Sequence, residues 1–412
     1  MKSKNSLWTR DFTIITVGSV VSMLGNALSG FAMSLLVLDY TKSSTLYALY
    51  MFLYTLPQVA VPMLSGPFLD RFSRKKVVYM LDFLSAAIYL SMGVLLWRGW
   101  FSFPVLAVLT FFVGAINSTY LVAYGSLYPM LITEGNYGKA YSVSSTLETL
   151  SVVGIPLSAV IYNALGIAPL FLFNGISFFL AAVMETRIRV TEAHCSTDRV
   201  KTKTALYQLC HDFLEGLQYL WQEKGLLAIV GYFSFSQMAA GAAQVITLPY
   251  FKSHFPNGEY YYMLVWGMSM VGRLLGSAVY YRIRIPARAK FAVSLVAYIA
   301  ASVLEGVYLY FTVAVMVVLT LIVGLCGITS YNIRLAGTQS YVPNEKRGRF
   351  NGMFNTLTMA GMLLGQLLSG AATAVLSERI VLAIFMGICT LAAFGCIGMN
   401  KKYVAPIYNT DS

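Results

Sequence analysis

The sequence predicts an all-α polytopic membrane protein with twelve transmembrane helices in two pseudo-symmetric six-helix bundles. Three observations lead there. Of the 412 residues, 58% are hydrophobic and only 11% are charged, too little polar surface to coat a water-soluble globule of that size. Apolar runs recur along the whole chain, each near the length of about 20 residues that a helical bilayer crossing needs. The third observation is an internal echo. At an offset of 210 residues Gly66 falls on Gly276 and Arg74 on Arg284, while Gly138-Lys139 falls on Gly348-Arg349 and Thr146-Leu147 on Thr356-Leu357. One offset that aligns two separate loops is the mark of a parallel repeat.

The spans follow in order. The first half gives Phe12–Leu38, Thr45–Leu69, Val77–Trp97, Pro104–Ser126, Tyr137–Tyr162 and Ala168–Met184. The second gives Leu226–Tyr250, Tyr260–Tyr281, Ala289–Tyr310, Thr312–Ala336, Gly348–Leu376 and Arg379–Met399. Residues 1–187 therefore form an N-terminal bundle, 188–224 a cytoplasmic linker, and 225–412 a C-terminal bundle. Within the linker Leu206, Leu209, Phe213, Leu217, Leu220 and Trp221 recur at helical spacing, the pattern of an amphipathic helix along the membrane surface.

The net charge of +12 does not point to nucleic acid, because of where it lies. Lys42, Arg98, Lys252 and Arg379 fall on one side of the membrane and Arg273 and Arg334 inside spans, while the rest of the 29 Lys and Arg fall on the other side. That asymmetry places both termini in the cytoplasm of an integral membrane protein. No G-x-x-x-x-G-K-[ST] loop, intramembrane His or nucleophile–base pair suggests an enzyme or a nucleotide-driven pump. The spacing of His194, Cys195, Cys210 and His211 fits no zinc pattern, and no cofactor or metal is expected.

The densest charge cluster of the first half is Gly66-Pro67-Phe68-Leu69-Asp70-Arg71-Phe72-Ser73-Arg74-Lys75-Lys76. Topology signalling alone explains its basic residues but not Gly66 or Asp70. The stretch resembles the loop between helices 2 and 3 of the major facilitator superfamily, roughly G-x-x-x-D-R-x-G-R-[KR]. It matches at Gly66, Asp70, Arg71, Arg74 and Lys75 and departs at Ser73, where the family has Gly. Together with Asp82, the Gly138-Lys139 and Gly348-Arg349 pair and Trp221-Gln222-Glu223-Lys224-Gly225-Leu226, it is similar to the drug:proton antiporter branch that includes bacterial macrolide-efflux-type proteins.

The resemblance implies a secondary transporter working by alternating access, with cargo bound near mid-membrane. Its expected activity is proton-coupled efflux of hydrophobic or amphiphilic small molecules, by a monomer in a bacterial plasma membrane. The rival readings are a dedicated exporter or importer of a metabolite, siderophore or peptide, and a transport-inactive sensor or scaffold. Gly66, Asp70, Arg71, Arg74, Lys75 and Gly348 would form a conformational latch, with Asp70 facing the N-terminus of the eleventh span.

Ionisable groups inside spans are functional candidates. Glu148, mid-span, is read as a proton carrier, a structural carboxyl or a contact for a cationic cargo. Asp82 is expected to pair with Arg71, Arg74 or Lys76, with proton coupling as its second reading. Glu305 is a third coupling candidate nearer the outer face. Asn26, Asn117, Tyr120, Tyr124, Gln237, Gln244, Arg273 and Asn332 are candidates for the cargo cavity. Arg273 and Arg334 each read as a counter-ion, for a carboxylate or an anionic cargo, or as snorkelling to the surface.

Overall fold

In the computed structural model, residues 6–69, 72–133, 136–190, 215–282 and 285–409 are described. Asp70, Arg71 and most of the linker, with its His and Cys residues, lie outside them. The described residues form long α-helices and short turns, without a strand. In the first half these are α1 (Arg10–Thr41), α2 (Ser44–Leu69), α3 (Arg74–Trp97), α4 (Phe103–Leu127), α5 (Tyr137–Leu165) and α6 (Ile167–Glu185). The second half begins with α7 (215–222), the described end of the linker helix. Then come α8 (Lys224–His254), α9 (Gly258–Arg282), α10 (Ala287–Val307), α11 (Val313–Tyr341), α12 (Asn344–Ala372), α13 (Glu378–Ala392) and α14 (Lys401–Tyr408). Among the described residues nine helices are long and apolar enough to cross a membrane.

The chain divides into two compact units, Met1–Ser43 with Leu53–Leu206, and Ser44–Phe52 with Tyr207–Ser412. In the first, α6 packs on α1 and α3, α1 on α5, and α3 on α4. The second repeats the scheme, with α13 on α8 and α10, α8 on α12, and α10 on α11. The 210-residue echo is thus a repeat of packing as well as of sequence. It extends to single residues. A Cβ on Gly114 of α4 would collide with the Tyr54 carbonyl of α2, and a Cβ on Gly324 of α11 with the Ser269 carbonyl of α9. Absence of a side chain lets the backbones touch, which is how helices associate where lipid removes the hydrophobic drive.

Several glycines of the second half are packing points within the second unit. Gly361 and Gly365 of α12 lie against the backbone of α8 at Ser234 and Met238, and Gly272 of α9 lies against Leu321 of α11. Gly267 and Gly352 face open space. The opening stretch of α2 belongs to this unit through a hydrogen bond from Thr45 Oγ1 to the Gly370 carbonyl (3.0 Å).

Two features depart from the expected boundaries. α12 starts at Asn344 rather than Gly348, so Gly348 lies in its second turn, past the unpaired N–H groups of the helix start. The twelfth span does not end the fold. α13 passes through a π-helical turn (Ala393–Gly398) closed by Asn400, whose amide donates to the carbonyls of Gly395 and Cys396. α14 then buries Val404, Ile407 and Tyr408 in the core of the unit. In α7 the apolar stripe docks inward at Leu220 while Trp221 stays exposed.

Alanine at Gly114 or Gly324 should push two backbones apart at a cost of about 1–3 kcal/mol each. A clear fall in the melting midpoint, read as monodisperse protein surviving a heat step in detergent, is expected for both. Gly267→Ala and Gly352→Ala should leave it unchanged, and equal shifts at all four positions would contradict close helix approach as the cause.

Candidate functional site

The inward face of α3 is the stripe Val78, Asp82, Ser85, Ala86 and Tyr89, all buried. Asp82 therefore points between helices, not back along the surface, and is 1% exposed. The facing stripe on α6 is Asn174, Ser177, Phe178, Ala181, Ala182 and Glu185, and Glu185 is also 1% exposed. Helical spacing brings the two acids together at the α3–α6 contact, close enough for their carboxyl groups to interact electrostatically. Gly18 of α1 lies against the pair, and a Cβ there would stand in ordinary contact, 3.6 Å from Glu185 Oε1.

The cations expected around Asp82 are engaged elsewhere. Arg74 Nη1 donates to the Ser126 carbonyl (3.4 Å) and lies 3.5 Å from Met130 sulfur. Lys75 Nζ donates to the Ile188 carbonyl, and Lys76 is exposed. Among the described residues no donor reaches Asp82 Oδ2 or either oxygen of Glu185. Two ionised carboxylates cannot donate to each other, and side by side away from water they repel strongly. A proton between them would relieve that repulsion, which makes the pair a candidate proton site.

Hydroxyl groups continue from this pair. Tyr120 of α4 lies within electrostatic reach of both carboxyls and close to Ser19 of α1. The Ser19 hydroxyl donates to Tyr124 (3.1 Å), and the two tyrosine rings stack with centroids 5.7 Å apart. From α4 the titratable groups facing the pair are these tyrosines, and α1 presents only Gly18 and Ser19. Two of the expected cavity residues thus belong to the surroundings of the pair. Asn26 and Asn117 are half-buried on α1 and α4. Deeper along α6, Asn174 donates to Ser29 (2.6 Å) and binds α6 to α1. The side chain of Glu148 on α5 lies outside the described residues, as does any packing around Gly66.

In the second unit, Gln366 of α12 donates to Gln244 of α8 (3.2 Å). Gln237 and Asn332 are half-buried. Arg273 of α9 and Glu305 of α10 interact electrostatically, so each has a counter-charge in its own unit. Arg379 donates to the Tyr250 hydroxyl (3.0 and 2.5 Å), which in turn donates to the Leu309 carbonyl (3.1 Å). Arg334 is different. It is 8% exposed and caged by the rings of Phe354, Tyr331 and Phe233, with its guanidinium carbon 4.6, 4.9 and 5.0 Å from their centroids. Such contacts stabilise a cation by about 0.5–2 kcal/mol each, but supply no acceptor.

Glu185 was invisible as a site residue because the sixth span was read as ending one residue earlier, at Met184. Its signal is the four-residue step from Ala181, which keeps it on the buried stripe. At neutral pH the infrared spectrum of the detergent-solubilised protein should contain the carbonyl stretch of a protonated carboxyl that Asp82→Asn or Glu185→Gln removes. A spectrum equal to that of both variants would mean the pair holds no proton.

Residues 15–366 match the family model of the Major Facilitator Superfamily. The chain is 24% identical over 366 residues to the uncharacterized MFS-type transporter YkuC of Bacillus subtilis (strain 168), covering 85% of this chain and 82% of that one. It is 23% identical over 230 residues to macrolide efflux protein A of Streptococcus pyogenes, covering 55% of each. Among solved structures, the nucleoside transporter NupG aligns with a TM-score of 0.67 at 14% identity, covering 94% of this chain and 98% of that one. A bacterial homologue of the iron transporter ferroportin in an inward-facing state gives 0.65 at 16% identity, covering 97% and 100%. At these identities the structural likeness speaks for the fold alone. The family match runs from α1 to α12, over most of the length, and the chain belongs to the Major Facilitator Superfamily of membrane transporters.

Proposed function

We propose that this transporter is a proton-coupled exporter of hydrophobic or amphiphilic small molecules. It works as a monomer in a bacterial plasma membrane with both termini in the cytoplasm. The observation that carries the proton-coupling is the sealed Asp82–Glu185 pair, which has no basic partner among the described residues. Export of an apolar cargo draws support from the likeness to a macrolide efflux protein.

The chemistry of the pair links proton and conformation. With one proton the carboxyls hold α3 against α6. Loss of that proton leaves two negative charges in a low-dielectric contact and pushes the helices apart. A bias of about 1.4 kcal/mol changes a two-state ratio tenfold, and repulsion of this kind is ample to supply it. Protonation from one side and release to the other then drives alternating exposure of the cargo site. Gly66, Asp70, Arg71 and Gly348 remain the candidates for a cytoplasmic latch, with Arg74 and Lys75, whose bonds run to the Ser126 and Ile188 carbonyls.

In everted vesicles with an acid interior, adding a transported lipophilic compound should discharge part of the pH gradient, read by a quenched fluorescent amine. Glu185→Gln and Asp82→Asn should reduce that discharge at least about tenfold while cargo exchange without a gradient persists. Undiminished discharge in both variants would remove the pair from coupling. Asp70→Asn should slow turnover several-fold with membrane insertion intact, and wild-type turnover would remove the latch.

A further inference from the structure

Arg334 lies in α11 with Phe233 of α8, Tyr331 of its own helix and Phe354 of α12 around its guanidinium. Burying an arginine normally goes with a carboxylate or several carbonyl acceptors, because five N–H donors leave water together. Here Nε is sealed from solvent and meets no acceptor among the described residues. The charged neighbours named from the packed helices are hydroxyls only. Tyr298 of α10 and Tyr408 of α14 interact with it electrostatically, and their hydroxyls bond to each other (3.1 Å). Among the described residues of this unit, Glu305 faces Arg273 and Glu215 pairs with Arg349 (2.8 Å). Aromatic faces hold the guanidinium in place and leave its buried Nε donor without an acceptor, an arrangement that suits a planar anion in the guanidinium plane.

We infer that Arg334 binds the acidic group of the cargo, so that the preferred cargo is an aromatic or amphiphilic organic anion whose apolar body packs against Phe233, Tyr331 and Phe354. This rests on the chain being a transporter of amphiphiles and adds the charge of the cargo. It also places the two functional charges in different repeats. Arg334 corresponds at the 210-residue offset to Tyr124, and Asp82 and Glu185 correspond to Ala292 and Gly395. Proton site and anion site are therefore not copies of each other. The snorkelling reading of Arg334 does not fit a side chain that is 8% exposed among three rings.

The test is a binding measurement on the purified full-length protein, which needs no pH gradient and so stands or falls separately from proton coupling. Naphthoate, its methyl ester and naphthylmethylamine are titrated against the melting midpoint, in detergent and in nanodiscs of purely zwitterionic lipid, with gluconate replacing chloride. Naphthoate should raise the midpoint of the wild type in a saturable way, and the ester and amine should not. Arg334→Gln should weaken naphthoate at least about tenfold, and Arg334→Lys, which keeps the charge but not the planar fork, should fall between. Phe354→Leu keeps the arginine and should weaken naphthoate several-fold, which preserves the test if Arg334→Gln fails to fold. Equal effects of acid and ester, or naphthoate binding unchanged by Arg334→Gln or Phe354→Leu, would overturn the inference. So would stabilisation that follows anionic lipid alone, which would assign the arginine to a lipid headgroup.

Discussion

A bilayer interior tolerates a carboxyl group only when its charge is cancelled or its proton retained, and the first unit buries two carboxyls that meet no cation among the described residues. Asp82 and Glu185 occupy the buried stripes of α3 and α6, and Gly18 on α1 lies against them. Their contact is favourable with a shared proton and repulsive without it. The consequence is a helix interface whose strength depends on protonation. Lys75 and Arg74 tie the first turn of α3 to backbone carbonyls of neighbouring segments. Any movement of that turn is thereby passed to the Ser126 end of α4 and to the segment after α6.

The repeat supplies a symmetric scaffold with asymmetric chemistry. Corresponding helices pack alike in both units, down to the close approaches at Gly114 and Gly324. The ionisable groups do not repeat. Where the first unit holds acids, the second holds Ala292 and Gly395. Where the first holds Tyr124, the second holds Arg334 in a cage of rings. Packing residues follow the duplicated helix arrangement because any copy of that arrangement needs them. Charged residues inside the membrane are costly and survive only where one copy uses them.

The helices and their repeat were legible because both rest on local signals, the length of apolar runs and a fixed offset between loops. Span ends fell within a few residues of α1 to α13. The family was legible from Gly66, Asp70, Arg71, Arg74 and Lys75, a pattern dense enough to identify without a structure. What escaped was pairing across helices. Asp82 was expected to reach cations six to eleven residues away, but helical spacing turns it inward, where its neighbour is 103 residues on. Arg273 stood among the cavity candidates, yet Glu305 from another helix interacts with it, while Arg334 is surrounded by aromatic faces. The burial of α14 was also missed, since Val404, Ile407 and Tyr408 form too short a pattern to stand out after twelve longer ones. Tertiary partners, not propensities, decided each of these cases.

The central claim is that protonation of the Asp82–Glu185 pair sets the strength of the α3–α6 contact. Hydrogen–deuterium exchange of α3 and α6 as a function of pH, corrected for intrinsic exchange, measures this with no cargo present. In the wild type, protection of both helices is expected to fall as pH rises and the shared proton is lost. In the double variant Asp82→Asn, Glu185→Gln, which cannot ionise there, protection is expected to stay constant. A wild-type profile as flat as that of the variant would contradict the claim.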